Sequence, residues 1–239
     1  MPTFVADLHN HTPASADHHL RHETSARDIV ETALAAGLDI YAATDHMSWG
    51  LVGELLAAAD DVARETGRTL LVVPGAELRI TYRGDEAHIT PLFDPGTYEQ
   101  RFDALVGILG LTSTLVAEED RPFFTFEHDP VDVCRIVYAL GGVACVAHAD
   151  RAFGEYRLTG THLFERLLAE PTVAAIDFLD PEVARGLVDG TDATLISCSD
   201  SHCCEDIGRR RSDLELDDLS FWALRTALVR DGVRAGVCA

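Results

Sequence analysis

Histidines and carboxylates collect where short apolar runs end. Asp7-Leu8-His9-Asn10-His11 closes the first run, Thr44-Asp45-His46 the second, Gly75-Ala76-Glu77 the third, His148 a later one and Ser199-Asp200-Ser201-His202 the last, while His88 opens its own run. In an extended segment, residues i and i+2 point the same way. His9 and His11 can therefore present two imidazoles to one side, and Asp200 and His202 a carboxylate and an imidazole. Imidazole mixed with carboxylate suits zinc, manganese or iron, whereas calcium or magnesium takes mostly oxygen donors. An isolated HxH pair is more often incidental, and a single histidine after an apolar run is more often a hydrogen-bonded core residue. Six histidines and at least two carboxylates at the ends of five or more runs make a metal site the economical explanation.

Composition narrows the chemistry further. The 239 residues carry 40 Asp and Glu against 19 basic side chains, a formal net charge of −21, and every basic residue is Arg. Without Lys there is no Schiff base, no pyridoxal phosphate linkage and no Walker-type phosphate loop. An acidic surface repels polyanions, so extended nucleic acid and anionic membranes are disfavoured and small partners favoured. No stretch approaches the roughly 18 apolar residues of a spanning helix, and the opening MPTFVADLH lacks the basic and apolar regions of a signal peptide. The expectation is a cytoplasmic protein in which Cys134, Cys145, Cys198, Cys203, Cys204 and Cys238, lacking CxxC spacing, are free thiols. The length suits one catalytic domain over residues 1–239, and nothing in it fixes an oligomeric state.

The elements that must position these residues alternate. Residues 4–8, 40–43, 70–73, 143–147, 173–178 and 194–197 are short apolar runs of the kind expected of strands buried on both faces. Segments of helical period separate them: 25–37 with Ser25 as cap, 51–67, 98–110, one starting at Pro130 behind Asp129, 161–169, 181–188 and 219–230. Residues 79–82 and 88–93 flank Gly84-Asp85 and read as a hairpin or an irregular strand. Six or seven strands with intervening helices predict one closed or nearly closed β/α barrel, with a doubly wound open sheet as competitor. The barrel is preferred because the carboxyl ends of its strands converge on one mouth, where ligands distant in sequence can meet.

The segments DLHNHTPAS, ATDH, PGAE, VACVAHADR and ISCSDSH together resemble the PHP family, the polymerase and histidinol phosphatase superfamily of metal-dependent phosphoesterases, in the expected order from Asp7 to His202. The resemblance implies an α/β fold built as a distorted seven-stranded β/α barrel in a single domain. It also implies two or three divalent transition-metal ions, usually Mn, Fe or Zn. Carried over by motif, the metal ligands are His9, His11, Asp17, His46, Glu77, His88, His148, Asp200 and His202. Asp17 lies in Ala16-Asp17-His18-His19-Leu20, where His18 or His19 is an alternative ligand. The segment before His88 varies in length in such families.

Three divalent ions against the carboxylates of Asp17, Glu77 and Asp200 leave a local charge of about +3, which attracts an anion even to an acidic protein. Charges beyond a Debye length of about 8 Å are largely screened, so a small phosphate ester can approach where a long polyanion is repelled. The expected reaction is phosphate-ester hydrolysis by metal-activated water, with Asp200 or His202 assisting proton transfer and His18 available to the leaving group. In a chain without Lys, phosphate recognition falls to Arg151 or to Arg209-Arg210-Arg211, for which a salt-bridged face with Asp206 or Asp213 is the plainer reading. Asp7 and Asp45 either orient imidazoles or are solvated turn residues. Cys203 and Cys204 read as inert thiols, His128 and His162 as structural or surface residues, and His22 as a surface residue or a substrate contact. Selectivity is expected from loops 150–160 and 112–122. The alternatives are an exonuclease, a metal-dependent amidohydrolase, and a non-catalytic metal-binding module; the last predicts missing ligands, and here every ligand place is filled.

Overall fold

A computed structural model describes residues 1–19, 23–111, 118–153, 156–188 and 193–229. The strands are β1 (Thr3–Asn10), β2 (Ile40–Ala43), β3 (Leu71–Pro74), β4 (Leu78–Tyr82), β5 (Asp85–Leu92), β6 (Phe126–Glu127), β7 (Val143–Val146), β8 (Ala152–Phe153), β9 (Tyr156–Arg157), β10 (Val173–Asp177), β11 (Leu195–Ile196) and β12 (Ser212–Glu215). The helices are α1 (Ala26–Ala35), α2 (Val52–Thr66), α3 (Tyr98–Ile108), α4 (Pro130–Ala139), α5 (His162–Ala169), α6 (Pro181–Val188) and α7 (Phe221–Leu228).

Local signals account for most of these elements. Ser25 and Asp28 form a reciprocal capping box at the start of α1, and Ile29, Val30, Ala33 and Leu34 form its buried stripe. Pro130 occupies the first turn of α4, where the Asp129 carboxylate accepts the Val131 N–H at 3.1 Å. β2, β7 and β10 are buried along their whole length, which is why they read as unbroken apolar runs.

The architecture is α/β with two main mixed sheets. One has the order β12-β1-β2-β3 and the other β11-β10-β7-β5-β4-β6. The parallel pairs β1/β2, β2/β3, β7/β10 and β10/β11 follow the β/α pattern. The region around Gly84 does not: β4 and β5 form an antiparallel hairpin, and β5 runs antiparallel to β7. Reversing β5 carries His88 into the wall from the opposite chain direction to the other ligand-bearing strands. β12 was not visible as a run because Leu214 alone of its four residues is buried; it pairs antiparallel with β1 at the sheet edge.

Two short bridges join the sheets. At one, Asp200 N–H donates to His9 O at 2.9 Å and His11 N–H to Ser201 O at 2.8 Å; at the other, Phe93 N–H donates to Pro74 O at 2.9 Å and Ala76 N–H to Pro91 O at 3.2 Å. Gly75 makes the second bridge possible, since a Cβ there would lie 2.7 Å from both Leu92 and Thr44 side chains. A hydrophobic cluster including Ala6, Leu8, Ala42, Val73, Cys145 and Ile196 draws on both sheets. Burial of each larger member contributes about 1.5–3 kcal/mol, so the core and the bridges hold the same two surfaces together. Among the described residues no helix is long and apolar enough to cross a membrane. Residues 112–117, 154–155, His22, Arg230 and Cys238, on which some sequence expectations fall, lie outside the described residues.

Candidate metal centre

Glu77, in the turn between β3 and β4, is the centre of the site. Its Oε2 lies 3.4 Å from His9 Nε2, 3.3 Å from His11 Nε2 and 3.1 Å from His46 Nδ1. Its Oε1 lies 2.6 Å from His88 Nδ1 and 3.1 Å from His148 Nε2. Five imidazoles thus converge on one buried carboxylate. Asp200 adds a second, with Oδ1 3.1 Å from His11 Nε2 and 3.6 Å from His9 Nε2. Asp17 Oδ2 lies 3.2 Å from both His46 Nε2 and His202 Nε2. Donor atoms of His9, Glu77, His148 and Asp200 fall within 4.8 Å of one another, as do those of His11, Asp17, His46 and His202. Two four-residue clusters therefore share one neighbourhood, and His88 stands against Glu77 beside the first.

Several devices fix these side chains. Strand alternation places His9 and His11 two residues apart at the end of β1, and their rings lie 5.4 Å apart. Asn10 between them receives the Ser201 hydroxyl proton at 2.7 Å and donates to Asp7 O at 3.2 Å. It ties the β1 end to the segment carrying Asp200 and His202. His148 and Asp200 both have positive φ, 27° and 51°, conformations that cost a residue with a Cβ of order 1–3 kcal/mol. Both are turned out of the strand path at the point where they join the first cluster.

Three buried aspartates hold the backbone next to the ligands. Asp7 accepts the N–H groups of Ser199 and Gly208, each at 3.0 Å. Asp45 accepts the Thr12 N–H at 2.6 Å and its hydroxyl at 2.7 Å. Asp177 accepts His148 N–H at 3.0 Å and Cys198 N–H at 2.9 Å. Asp7 and Asp45 are thus neither imidazole-orienting groups nor solvated turn residues; they are buried clamps on chain segments. Asp177 has the same role and no motif announced it. Burial raises all three, Asp45 to about 6 and Asp177 to about 7, with the backbone donors opposing.

The electrostatics ask for cations. Burial alone would raise Glu77, but His46, His9 and His88 around it hold it well below the usual carboxylate range. Asp200 is likewise lowered against its burial by His9 and His11, and Asp17 by His202 and His46. Burial would depress His11, yet the Asp200 and Glu77 carboxylates raise it to about 10. At His148 burial prevails and the imidazole falls to about 4. Meanwhile His9 Nδ1 and Nε2, His11 Nδ1 and His46 Nδ1 are buried with no hydrogen-bond partner. Buried polar atoms are ordinarily satisfied, so the unpartnered His9 Nε2 and His46 Nδ1, both facing the buried Glu77 Oε2, fit divalent ions.

The remaining candidates occupy different places. His18 is buried, with Nδ1 unpartnered and its imidazole lowered to about 4 by burial and by the nearby His202 and His11. Arg151 is half-exposed and its guanidinium meets Asp200 Oδ2. Arg209 pairs with Asp206 at 3.4 Å, Arg210 donates to Cys198 O and Ser199 O, and Arg211 to Ala36 O. The arginine run thus makes local contacts, and among these four arginines Arg151 is the one that meets a cluster residue. Cys203 Sγ lies 3.6 Å from Asp206 Oδ2.

No family model matches the chain, and no curated protein matches it. Solved structures do. A protein from Bifidobacterium adolescentis, provisionally named a metal-dependent phosphoesterase, superposes with a TM-score of 0.59 at 18% identity over 98% of this chain and 95% of that one. A lesion-specific endonuclease from Pyrococcus furiosus gives 0.62 at 14% identity over 95% of this chain, which spans only 56% of the endonuclease. An amidohydrolase from Chromobacterium violaceum, solved with sulfate and without metal, gives 0.57 at 19% identity over 95% of this chain and 99% of that one. At such identities the likeness is one of fold, and function must be argued from the site.

Proposed function

We propose that this chain is a PHP-type metal-dependent phosphoesterase that hydrolyses an ester of a small phosphorylated metabolite or nucleotide. The observation that carries the reading is Glu77, one buried carboxylate facing five histidines, four from the two clusters and His88 beside them. In this reading β1, β2, β3, β5, β7, β10 and β11 form a distorted seven-stranded barrel wall, which the two inter-sheet bridges support. His9, Glu77, His148 and Asp200 hold one ion, and His11, Asp17, His46 and His202 a second. His88, against Glu77 and near His148, makes room for a third. The mixed imidazole and carboxylate set suits Mn, Fe or Zn. Bound there, such ions polarise phosphoryl oxygens and lower the pKa of water towards about 7.

The chain's own residues do the rest. Arg151, half-exposed and paired with Asp200 Oδ2 while Oδ1 faces His9 and His11, would be the guanidinium available to a phosphate oxygen beside the clusters. In this reading Asp200 and His202, whose side chains approach to 3.9 Å, receive the proton leaving water, and the buried His18 serves the leaving group. The net charge of −21 disfavours extended nucleic acid as substrate. A nuclease acting on a few nucleotides is the second reading, favoured by the fold shared with the Pyrococcus endonuclease.

The deciding assay loads purified protein with Mn, Zn or Fe and offers phosphomonoesters, phosphodiesters, short single-stranded oligonucleotides and amides. Release of phosphate from small monoesters, abolished in His9→Ala and Asp200→Ala, is expected. Mononucleotides from the oligonucleotides would favour the nuclease, an amine would favour amide hydrolysis, and no product from a metal-loaded folded protein would defeat all three.

A further inference from the structure

His9, His11, His148 and His202 turn Nε2 towards the carboxylates, whereas His46 and His88 turn Nδ1 towards Glu77, at 3.1 and 2.6 Å. His46 keeps its other nitrogen on the cluster carboxylate Asp17, at 3.2 Å; His88 does not. Its Nε2 points the other way and meets Glu86 Oε1 at 2.8 Å. The register of the β4/β5 hairpin arranges this, because Arg79 is the cross-strand partner of His88 and Thr81 that of Glu86. Residues 79 and 81 on one strand and 86 and 88 on the other therefore share one face. On it, Arg79 Nε and NH2 donate to Glu86 Oε1 at 3.0 and 2.8 Å, and Arg79 NH1 donates to Pro122 O at 2.6 Å.

From this chain of contacts we infer that Glu86, itself held by Arg79, positions His88 for metal binding by accepting its Nε2–H and so leaving the Nδ1 lone pair directed at the centre. A neutral imidazole has one donor and one acceptor nitrogen, and the bond made by one decides the state of the other. Glu86 is suited to accept rather than ligate, because the guanidinium already occupies the oxygen that faces His88. The inference rests on the reading of His88 as a metal ligand and adds two positioning residues that the ligand motifs do not contain.

Competition of the zinc-loaded protein against a chelator tests it. Glu86→Ala should weaken one bound ion by about 10–100-fold, the usual cost of losing a carboxylate behind a ligating histidine, and leave the other ions in place. Glu86→Gln, whose amide oxygen still accepts from Nε2, should retain most of that affinity. Nitrogen-15 spectra of the histidine rings in the zinc-loaded wild-type protein should show an imidazole protonated at Nε2 and bound through Nδ1 that disappears in His88→Asn, which separates it from any signal of His46. A purely structural Glu86 would change thermal stability without moving either readout. Unchanged zinc affinity in Glu86→Ala, or a His88 protonated at Nδ1, would overturn the inference. If Glu86→Ala does not fold, the wild-type spectrum decides alone. Wild-type protein that binds no zinc defeats the metal reading itself, which separates that failure from this one.

Discussion

The two clusters are built from similar donors yet differ in how they are held. In the inner one the side chains of His9, Glu77, His148 and Asp200 are 1%, 1%, 3% and 7% exposed. In the outer one, His11 is fully buried and His46 nearly so, but Asp17 and His202 are 32% and 24% exposed. Inner ligands sit at strand ends whose backbone Asp7 and Asp177 clamp. Asp17 hangs from the segment after His11, held by Ser15 Oγ at 2.6 Å. The contrast separates a cluster that belongs to the core from one that is partly open to solvent, and under the proposed function it predicts tighter binding of an ion in the inner cluster and readier exchange in the outer.

Substituting the shared residue tests the comparison most severely. Glu77→Ala should empty both clusters and abolish hydrolysis, with melting of the chelated protein lowered as well, because removing one partner of a buried charged group costs about 3–5 kcal/mol. Asp17→Ala should break the symmetry: elemental analysis is expected to show loss of the outer ion with the inner one retained. Loss of both ions would mean that the clusters are one cooperative unit. Asp177→Ala should destabilise by about 1–3 kcal/mol in denaturant titration, since the backbone N–H groups of His148 and Cys198 lose their acceptor.

Smaller effects sharpen the picture. In chelated protein His11 has a folded pKa of about 10 against an ordinary 6.5. Its contribution is therefore fully present below about pH 6.5 and is lost as pH rises towards about 10, and His9 and His88 shift in the same direction. Thermal melts of the chelated protein should fall over that window, and metal loading should flatten the fall. At the mouth, Arg151→Ala should reduce kcat/KM by roughly tenfold, in keeping with loss of one charged hydrogen bond, while Arg209→Ala should leave the kinetics almost unchanged.

Seven of the eight residues that gather in the two clusters were legible in the sequence because they close an apolar run, and alternation explains the paired spacing at His9/His11 and Asp200/His202; Asp17, in a polar segment, was pointed to by the family resemblance alone. The helices were legible through local signals such as the Ser25 cap and the Pro130 start. Asp177 was not, since an aspartate ending Val173–Asp177 looks like any strand end and its partners lie 29 and 21 residues away. Glu86 was hidden in the same way: its role exists only once the hairpin register sets it beside His88. The arginine run after His202 follows the plainer of its two sequence readings, a salt-bridged face: Arg209 pairs with Asp206, and Arg210 and Arg211 donate to backbone carbonyls.

The account turns on cations held by Glu77 and its five histidines. Crystals of zinc- or manganese-loaded protein, measured at the metal absorption edge, should give at least two anomalous peaks, one among His9, Glu77, His148 and Asp200 and another among His11, Asp17, His46 and His202. Full-occupancy side chains at these positions with no anomalous density between them would contradict it.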